Sequence, residues 1–220
     1  MIWIKIYKIS GFLKRYLEDQ CEIHLSEHEK YTLKFKLVKR WQFIGGRIIS
    51  KLLISDALAI SPKIVEIRKE CNGAPIVFIN KNRSQESVSI SHTDNFIACA
   101  FSKSEKAIGI DIEEHKIDTL HRIKKLLYLD DFTSYETILD HWVVRESLVK
   151  ASHGKYSVLE PINFQVRNIE PNFYIFKANI EDDDYFSTVV CRSSTFTVAV
   201  GVKTSEEDFL NFENACIQDA

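Results

Sequence analysis

The stretch Ala107-Ile108-Gly109-Ile110-Asp111-Ile112-Glu113 alternates large apolar residues with small or acidic ones, which is the period of a β-strand. Asp111 and Glu113 then leave the same face, about 7 Å apart along the backbone. Two carboxylates at that spacing suit a hard divalent cation, and oxygen-only ligation with room for water and phosphate oxygens suits Mg²⁺. A strand pair alone binds such an ion weakly, so a third carboxylate is needed. One stands downstream in Trp142-Val143-Val144-Arg145-Glu146-Ser147-Leu148-Val149-Lys150. In a helix, Trp142, Glu146 and Lys150 recur every four residues and share a face, while most of Val143, Val144, Ser147, Leu148 and Ala151 can pack inward. An acid and a base one turn apart can therefore hang over the acidic strand. Each piece also has an ordinary explanation. Acids near a strand end are usually solvated, and a Glu-to-Lys pair four apart is usually a surface ion pair contributing a few tenths of a kcal/mol. The pieces weigh more together, and Ser87-Val88-Ser89-Ile90-Ser91-His92 adds another alternating strand that ends in a hydroxyl and an imidazole.

Working outward, Met1 to Ile9 alternates Ile2, Ile4 and Ile6 against Trp3, Lys5 and Tyr7, the pattern of a half-buried strand. Ser26 followed by Glu29 is a capping box before a helix. Helical spacing continues through Leu33, Leu37, Trp41, Ile44, Ile48, Ile49, Leu52 and Leu53, interrupted at Gly45-Gly46, so two consecutive helices or one broken helix fit. Lys34, Lys36, Lys39, Arg40 and Arg47 make this region basic: a solvated helix face, or an anion site using the paired donors of arginine. Ser61-Pro62 starts a short turn, Ile64 to Arg68 a strand, and Cys71-Asn72-Gly73-Ala74-Pro75 a turn into Ile76 to Ile79. Val88 to Ser91 and Phe96 to Phe101 complete an antiparallel meander. Beyond the acidic strand, Leu120, Ile123, Leu126 and Leu127 suit a short helix and Tyr135 to His153 a longer one. Strands are expected over Ile162 to Val166, Phe173 to Ala178, Phe186 to Cys191 and Phe196 to Val202. This repetition of element order predicts an α+β chain of two similar lobes, 1–106 and 107–220, with mainly antiparallel sheets and the acidic strand near their junction.

The 220 residues, 45% hydrophobic and 27% charged, have the composition of an ordinary globular protein, whether one domain or two small ones fused. A net charge of -2 and a pI near 6.4 argue against nucleic-acid binding through a uniformly basic surface. Cys21, Cys71, Cys99, Cys191 and Cys216 are odd in number and scattered, which argues against a disulfide framework or structural zinc. No run approaches the roughly 18 apolar residues of a membrane span, and the N-terminus lacks a signal-peptide pattern, so a cytoplasmic protein is expected. The acidic segment from Ser205 to Ala220 shows too little apolar patterning to assign.

The ordered set GIDIE (Gly109 to Glu113), WVVRESLVK (Trp142 to Lys150), SISH (Ser89 to His92) and GAP (Gly73 to Pro75) resembles the 4'-phosphopantetheinyl transferases of the surfactin-synthetase-activating type. The resemblance spans most of the chain. It implies two α+β lobes about a pseudo-twofold axis, a site at the lobe junction, and Mg²⁺-dependent transfer of the phosphopantetheine arm of coenzyme A. The acceptor is a serine of an acyl or peptidyl carrier protein, and adenosine 3',5'-bisphosphate is released. By resemblance, Asp111, Glu113 and Glu146 hold Mg²⁺ against the pyrophosphate, Glu146 also accepts the serine proton, and Lys150 binds phosphate oxygens. Ser91 and His92 contact a coenzyme A phosphate, and Arg40 and Arg47 belong to the basic stretch before the nucleotide site, with Arg40 on the 3'-phosphate. The N-terminal lobe is then the coenzyme A lobe and the C-terminal lobe the catalytic one, in a single chain acting as a monomer. Trp142 is expected to pack rather than to touch substrate.

Three departures bear on coenzyme A affinity and turn geometry. Ala74 stands where the family often has a cation, leaving that grip to Arg68 or Lys69. Arg145 replaces the usual lysine before the helix glutamate, and His153-Gly154-Lys155-Tyr156 keeps a single glycine. The Arg122-Ile123-Lys124-Lys125 stretch, with Leu126 and Leu127, fits either an acidic carrier helix or a plain amphipathic helix. A non-catalytic carrier-protein or coenzyme A binding module on the same scaffold is the competing reading. A different magnesium-dependent phosphoryl-transfer enzyme or nuclease leaves Ser91-His92 unexplained.

Overall fold

The computed structural model describes residues 1–35, 39–104, 107–128, 134–180 and 184–205. Lys36, Leu37, Glu105, Lys106, Cys216 and the acidic segment after Ser205 lie outside them. The protein is α+β with antiparallel sheets, and its chain divides into two compact units, Met1–Glu105 and Lys106–Ala220. Among the described residues no helix is long and apolar enough to cross a membrane.

Unit 1 opens with β1 (Ile2–Lys8), followed by helices α1 (Gly11–His24), α2 (Glu27–Leu33) and α3 (Arg40–Leu58). After a single 3-10 turn come β2 (Val65–Lys69), β3 (Pro75–Ile79), β4 (Asn82–Arg83), β5 (Ser87–His92) and β6 (Phe96–Ser102). They form two three-stranded sheets, β1-β6-β5 and β2-β3-β4. The central strand β6 is buried along its whole length, which is why its sequence is a continuous small and apolar run rather than an alternation.

Helix α3 packs across β6, β5 and β2. It runs unbroken through Gly45-Gly46, correcting the expected interruption there; the helical region is instead two helices separated before Arg40. The physical reason is close approach: a Cβ on Gly45 would lie 2.1 Å from Ile97 Cδ1, so glycine lets the helix settle onto the sheet. Helix α1 was not anticipated at all. Its Ser10 cap and its Leu13, Leu17 and Cys21 spacing are the signal, but only Leu17 and Cys21 are buried, so the apolar stripe is narrow.

The capping box at Ser26 and Glu29 is present, with Ser26 N donating to Glu29 Oε2 at 2.8 Å and Glu29 N to Ser26 Oγ at 3.3 Å. That carboxylate is also the buried anchor of unit 1. It takes the Lys51 ammonium at 2.5 Å and the Ile67 N–H at 3.2 Å, while Lys51 also donates to His24 O at 2.6 Å. One acid thus fastens α2 to α3 and β2, and its cation reaches the end of α1.

Unit 2 begins with β7 (Ile108–Glu114), then α4 (Ile117–Leu126) and α5 (Tyr135–Ala151), then β8 (Gln165–Glu170), β9 (Phe173–Asn179), β10 (Tyr185–Arg192) and β11 (Phe196–Thr204). The sheet order is β7-β11-β10-β9-β8, every neighbouring pair antiparallel. Leu139, Val143 and Leu148 of α5 share a core with Phe176, Phe186, Val190 and Ala199 of the sheet. The strand expected over Ile162 to Val166 is displaced to Gln165–Glu170: Ile162 and Phe164 plug this core from an irregular segment, and β8 is too exposed to show alternation.

Candidate functional site

Helix α5 lies on β7 and β11 because the strands offer it a bare seat. Gly109 and Gly201 are direct cross-strand partners. A Cβ on Gly109 would sit 1.9 Å from the Ser147 carbonyl oxygen and 2.7 Å from Ala151 N; one on Gly201 would sit 3.0 Å from Ser147 Oγ and Thr188 Oγ1. Since side chains two apart on a strand share a face, Asp111 and Glu113 face the helix on the same side as Gly109.

Contacts follow that register. Lys150 Nζ donates to Asp111 Oδ1 at 2.6 Å and to Ile110 O at 3.0 Å, while Trp142 Nε1 donates to Glu113 Oε1 at 3.2 Å. Glu146 lies midway between Trp142 and Lys150 on the same helical face. The helix therefore runs antiparallel over the strand, holding one acid with a cation and the other with a neutral indole. Trp142, 8% exposed, is the core residue the sequence suggests and also a hydrogen-bond donor, which its sequence context did not reveal.

The three acids are unequal. Asp111 is 5% exposed and ion-paired to Lys150. Burial, then the nearby Asp111 charge, pushes the Glu113 carboxyl up to about 7, against the lowering effect of the Trp142 hydrogen bond and of Arg122. The Glu146 carboxyl is likewise raised, by burial first and by Asp111 next, with Lys150 and Arg122 opposing. Among the described residues Glu113 accepts a side-chain hydrogen bond from Trp142 alone, and Glu146 accepts none. Partly buried acids with so few donors are a strained arrangement of the kind found at working sites. Arg122 of α4 acts as a field on both glutamates, whereas its sequence context fits a carrier contact or a plain amphipathic helix.

Three hard oxygen donors with one contacting ammonium fit Mg²⁺ in charge and in donor chemistry. Among the described residues no group of three or more His, Cys, Asp or Glu side chains stands at metal-ligand spacing, so a shared ion requires side-chain rearrangement, chiefly of Lys150 away from Asp111.

The sequence-derived nucleotide residues belong to unit 1. Arg40 opens α3 and pairs with Glu18 at 3.3 Å on the surface. Arg47 is 6% exposed, with Nε 3.9 Å from Glu29 Oε1 and its guanidinium 5.0 Å from the Phe43 ring centroid; it belongs to the buried Glu29 cluster rather than to an open basic face. Ser91 is buried and His92 exposed at the end of β5. Arg68 is held by Glu66 and stacks over Phe78.

The departures in unit 2 have structural partners. Arg145 donates to Val158 O and Glu160 O and lies over Phe164, fastening the segment after α5. The turn with one glycine is tied down by Asp184, which accepts from Lys155 Nζ at 2.7 Å, from the Tyr156 hydroxyl and from Lys203. In α4, Leu120 and Ile123 are buried, Leu126 is exposed, and Lys124 and Lys125 occupy the last turn. Neither a scan of protein-family models nor a search of curated proteins returns a match to this chain.

Proposed function

We propose that the protein is a Mg²⁺-dependent 4'-phosphopantetheinyl transferase that modifies a serine of an acyl or peptidyl carrier protein, with coenzyme A as co-substrate. The observation that carries this reading is Glu146: a partly buried acid, kept high in pKa by burial and by Asp111, without a hydrogen-bond donor among the described residues, on the helical face that engages Asp111 and Glu113. The ordered sequence motifs supply the reaction class.

In this reading Asp111, Glu113 and Glu146 hold Mg²⁺, which when bound stabilises charge developing on the pyrophosphate oxygens. The serine Oγ attacks the β-phosphorus, the bond to the leaving adenosine 3',5'-bisphosphate breaks, and Glu146 takes the hydroxyl proton directly or through water. Burial and the Asp111 charge raise its carboxyl above the ordinary glutamate range, which makes it the stronger base. Lys150 exchanges Asp111 for phosphate oxygens and neutralises the departing group. The 1–106 lobe supplies the coenzyme A contacts, among them Arg40, Ser91 and His92; Arg47, enclosed by Glu29 and Phe43, is not one of them. The reading carries with it the pair of similar lobes about a pseudo-twofold axis, sharing the site at their junction, and a cytoplasmic monomer.

The test is a mass measurement. Incubation with coenzyme A, Mg²⁺ and a panel of apo carrier proteins should add one phosphopantetheine group to at least one carrier, and Asp111→Ala or Glu146→Ala should abolish the gain. No gain on any carrier overturns the reading. The closed Lys150–Asp111 pair favours one alternative, a module that binds coenzyme A or carrier protein without turnover, and binding with no mass gain would select it.

A further inference from the structure

The two strand acids are held by donors of opposite kind. Asp111 faces an ammonium, which fixes it and cancels its charge; Glu113 faces a neutral indole N–H, which fixes the anion and stabilises it without cancelling its charge. Trp142 is locked in the core shared by α5 and the sheet, so its N–H has a set direction. Glutamate has a longer and freer side chain than aspartate and needs such a constraint more. The bond uses Oε1 and leaves Oε2 for a ligand.

We propose that Trp142 is a positioning residue: its indole N–H orients the Glu113 carboxylate as a divalent-cation ligand while leaving its negative charge intact. This rests on the metal site proposed above and deepens it. A cationic donor at residue 142 would have oriented Glu113 equally well but competed with the ion. With Lys150 already set against Asp111, a second cation would leave only one net negative charge among the three acids. Outer-shell donors of this kind typically change metal affinity by about 10- to 100-fold.

The test uses metal affinity and fluorescence, independent of transfer activity. Mg²⁺ binding is measured by calorimetry on the full chain and on Trp142→Phe, which keeps an aromatic ring and removes the donor; Val143→Ala, a core change one residue along α5, is the control. Trp142→Phe should bind Mg²⁺ about tenfold more weakly. Val143→Ala should lower thermal stability and keep the wild-type affinity. In a second measurement Trp3 and Trp41 are both replaced by phenylalanine, leaving Trp142 as the sole tryptophan, and Mg²⁺ titration should change its emission with the calorimetric midpoint. Wild-type affinity in Trp142→Phe, or an unchanged emission in the single-tryptophan protein, overturns the proposal even where Asp111→Asn abolishes binding and the metal site stands. If Trp142→Phe does not fold, the emission titration decides alone. Absence of Mg²⁺ binding by the wild-type chain overturns both the metal site and the role of Trp142.

Discussion

At the scale of single residues, the protein places carboxylates where water solvates them poorly and leaves two of them short of donors. Glu113 is the clearest case, its carboxyl raised to about 7 chiefly by burial. A raised acid binds a proton in the folded state at pH values where the unfolded chain has released it, so stability falls as pH rises from about 4.5 to 7. Thermal melts without metal should therefore show a loss across that window which Glu113→Gln reduces, the raised Glu146 carboxyl accounting for what remains. Mg²⁺ should raise the melting temperature at pH 8 more than at pH 5, because at the lower pH protons compete for the same oxygens. The candidate acids were legible from spacing alone, because strand and helix periods dictate which side chains share a face. The state of each acid was not, since it depends on burial and on which donor arrives from 29 or 39 residues away. Arg47 shows the same limit: its basic neighbours fit a solvated helix face or an anion site, whereas Glu29 and Phe43 enclose it.

At the scale of elements, two fixtures hold α5. One is the glycine pair under Ser147. Gly109→Ala would force a methyl into a carbonyl oxygen 1.9 Å away, and it should destabilise the protein by about 1–3 kcal/mol in chemical denaturation. Gly201→Ala, with contacts at 3.0 Å to two hydroxyls that can turn aside, should cost less. The second fixture is Asp184, whose carboxyl is held well below the usual range by hydrogen bonds from Lys155, Lys203 and Tyr156. A depressed acid contributes stability that is present above its unfolded pKa and is lost as pH falls through that value toward the folded one. Asp184→Asn should accordingly lower the melting temperature at pH 7 and converge with wild type at strongly acid pH. Strands β1 and β7 were readable from their alternation, and α5 from the four-residue spacing of Trp142, Glu146 and Lys150. Strand β8 was not, because it buries too little for alternation to emerge, and helix α1 offers only its Ser10 cap and a narrow Leu13, Leu17, Cys21 stripe.

At the scale of the whole molecule, each unit is stabilised by its own core and its own buried charge. In unit 1 the Glu29–Lys51 pair is almost wholly removed from solvent. Glu29→Gln would leave Lys51 and Arg47 without their counterion, and breaking such a pair typically costs about 3–5 kcal/mol. Hydrogen exchange should then quicken in α2, α3 and β2, the elements this carboxylate joins. The α+β class with antiparallel sheets could be read from the order of strand and helix patterns. The partition of unit 1 into two small sheets could not, because pairing among short strands is chosen by tertiary contacts rather than by local pattern.

The bare seat at Gly109 and Gly201 has a consequence for heating. Where α5 meets β7 its main chain rests on main chain, so the spacing there is set by atoms without rotamers to sample. Warming that loosens side-chain packing elsewhere should leave this gap unchanged. At the proposed metal site, ion affinity should therefore vary smoothly with temperature and collapse only when unit 2 melts.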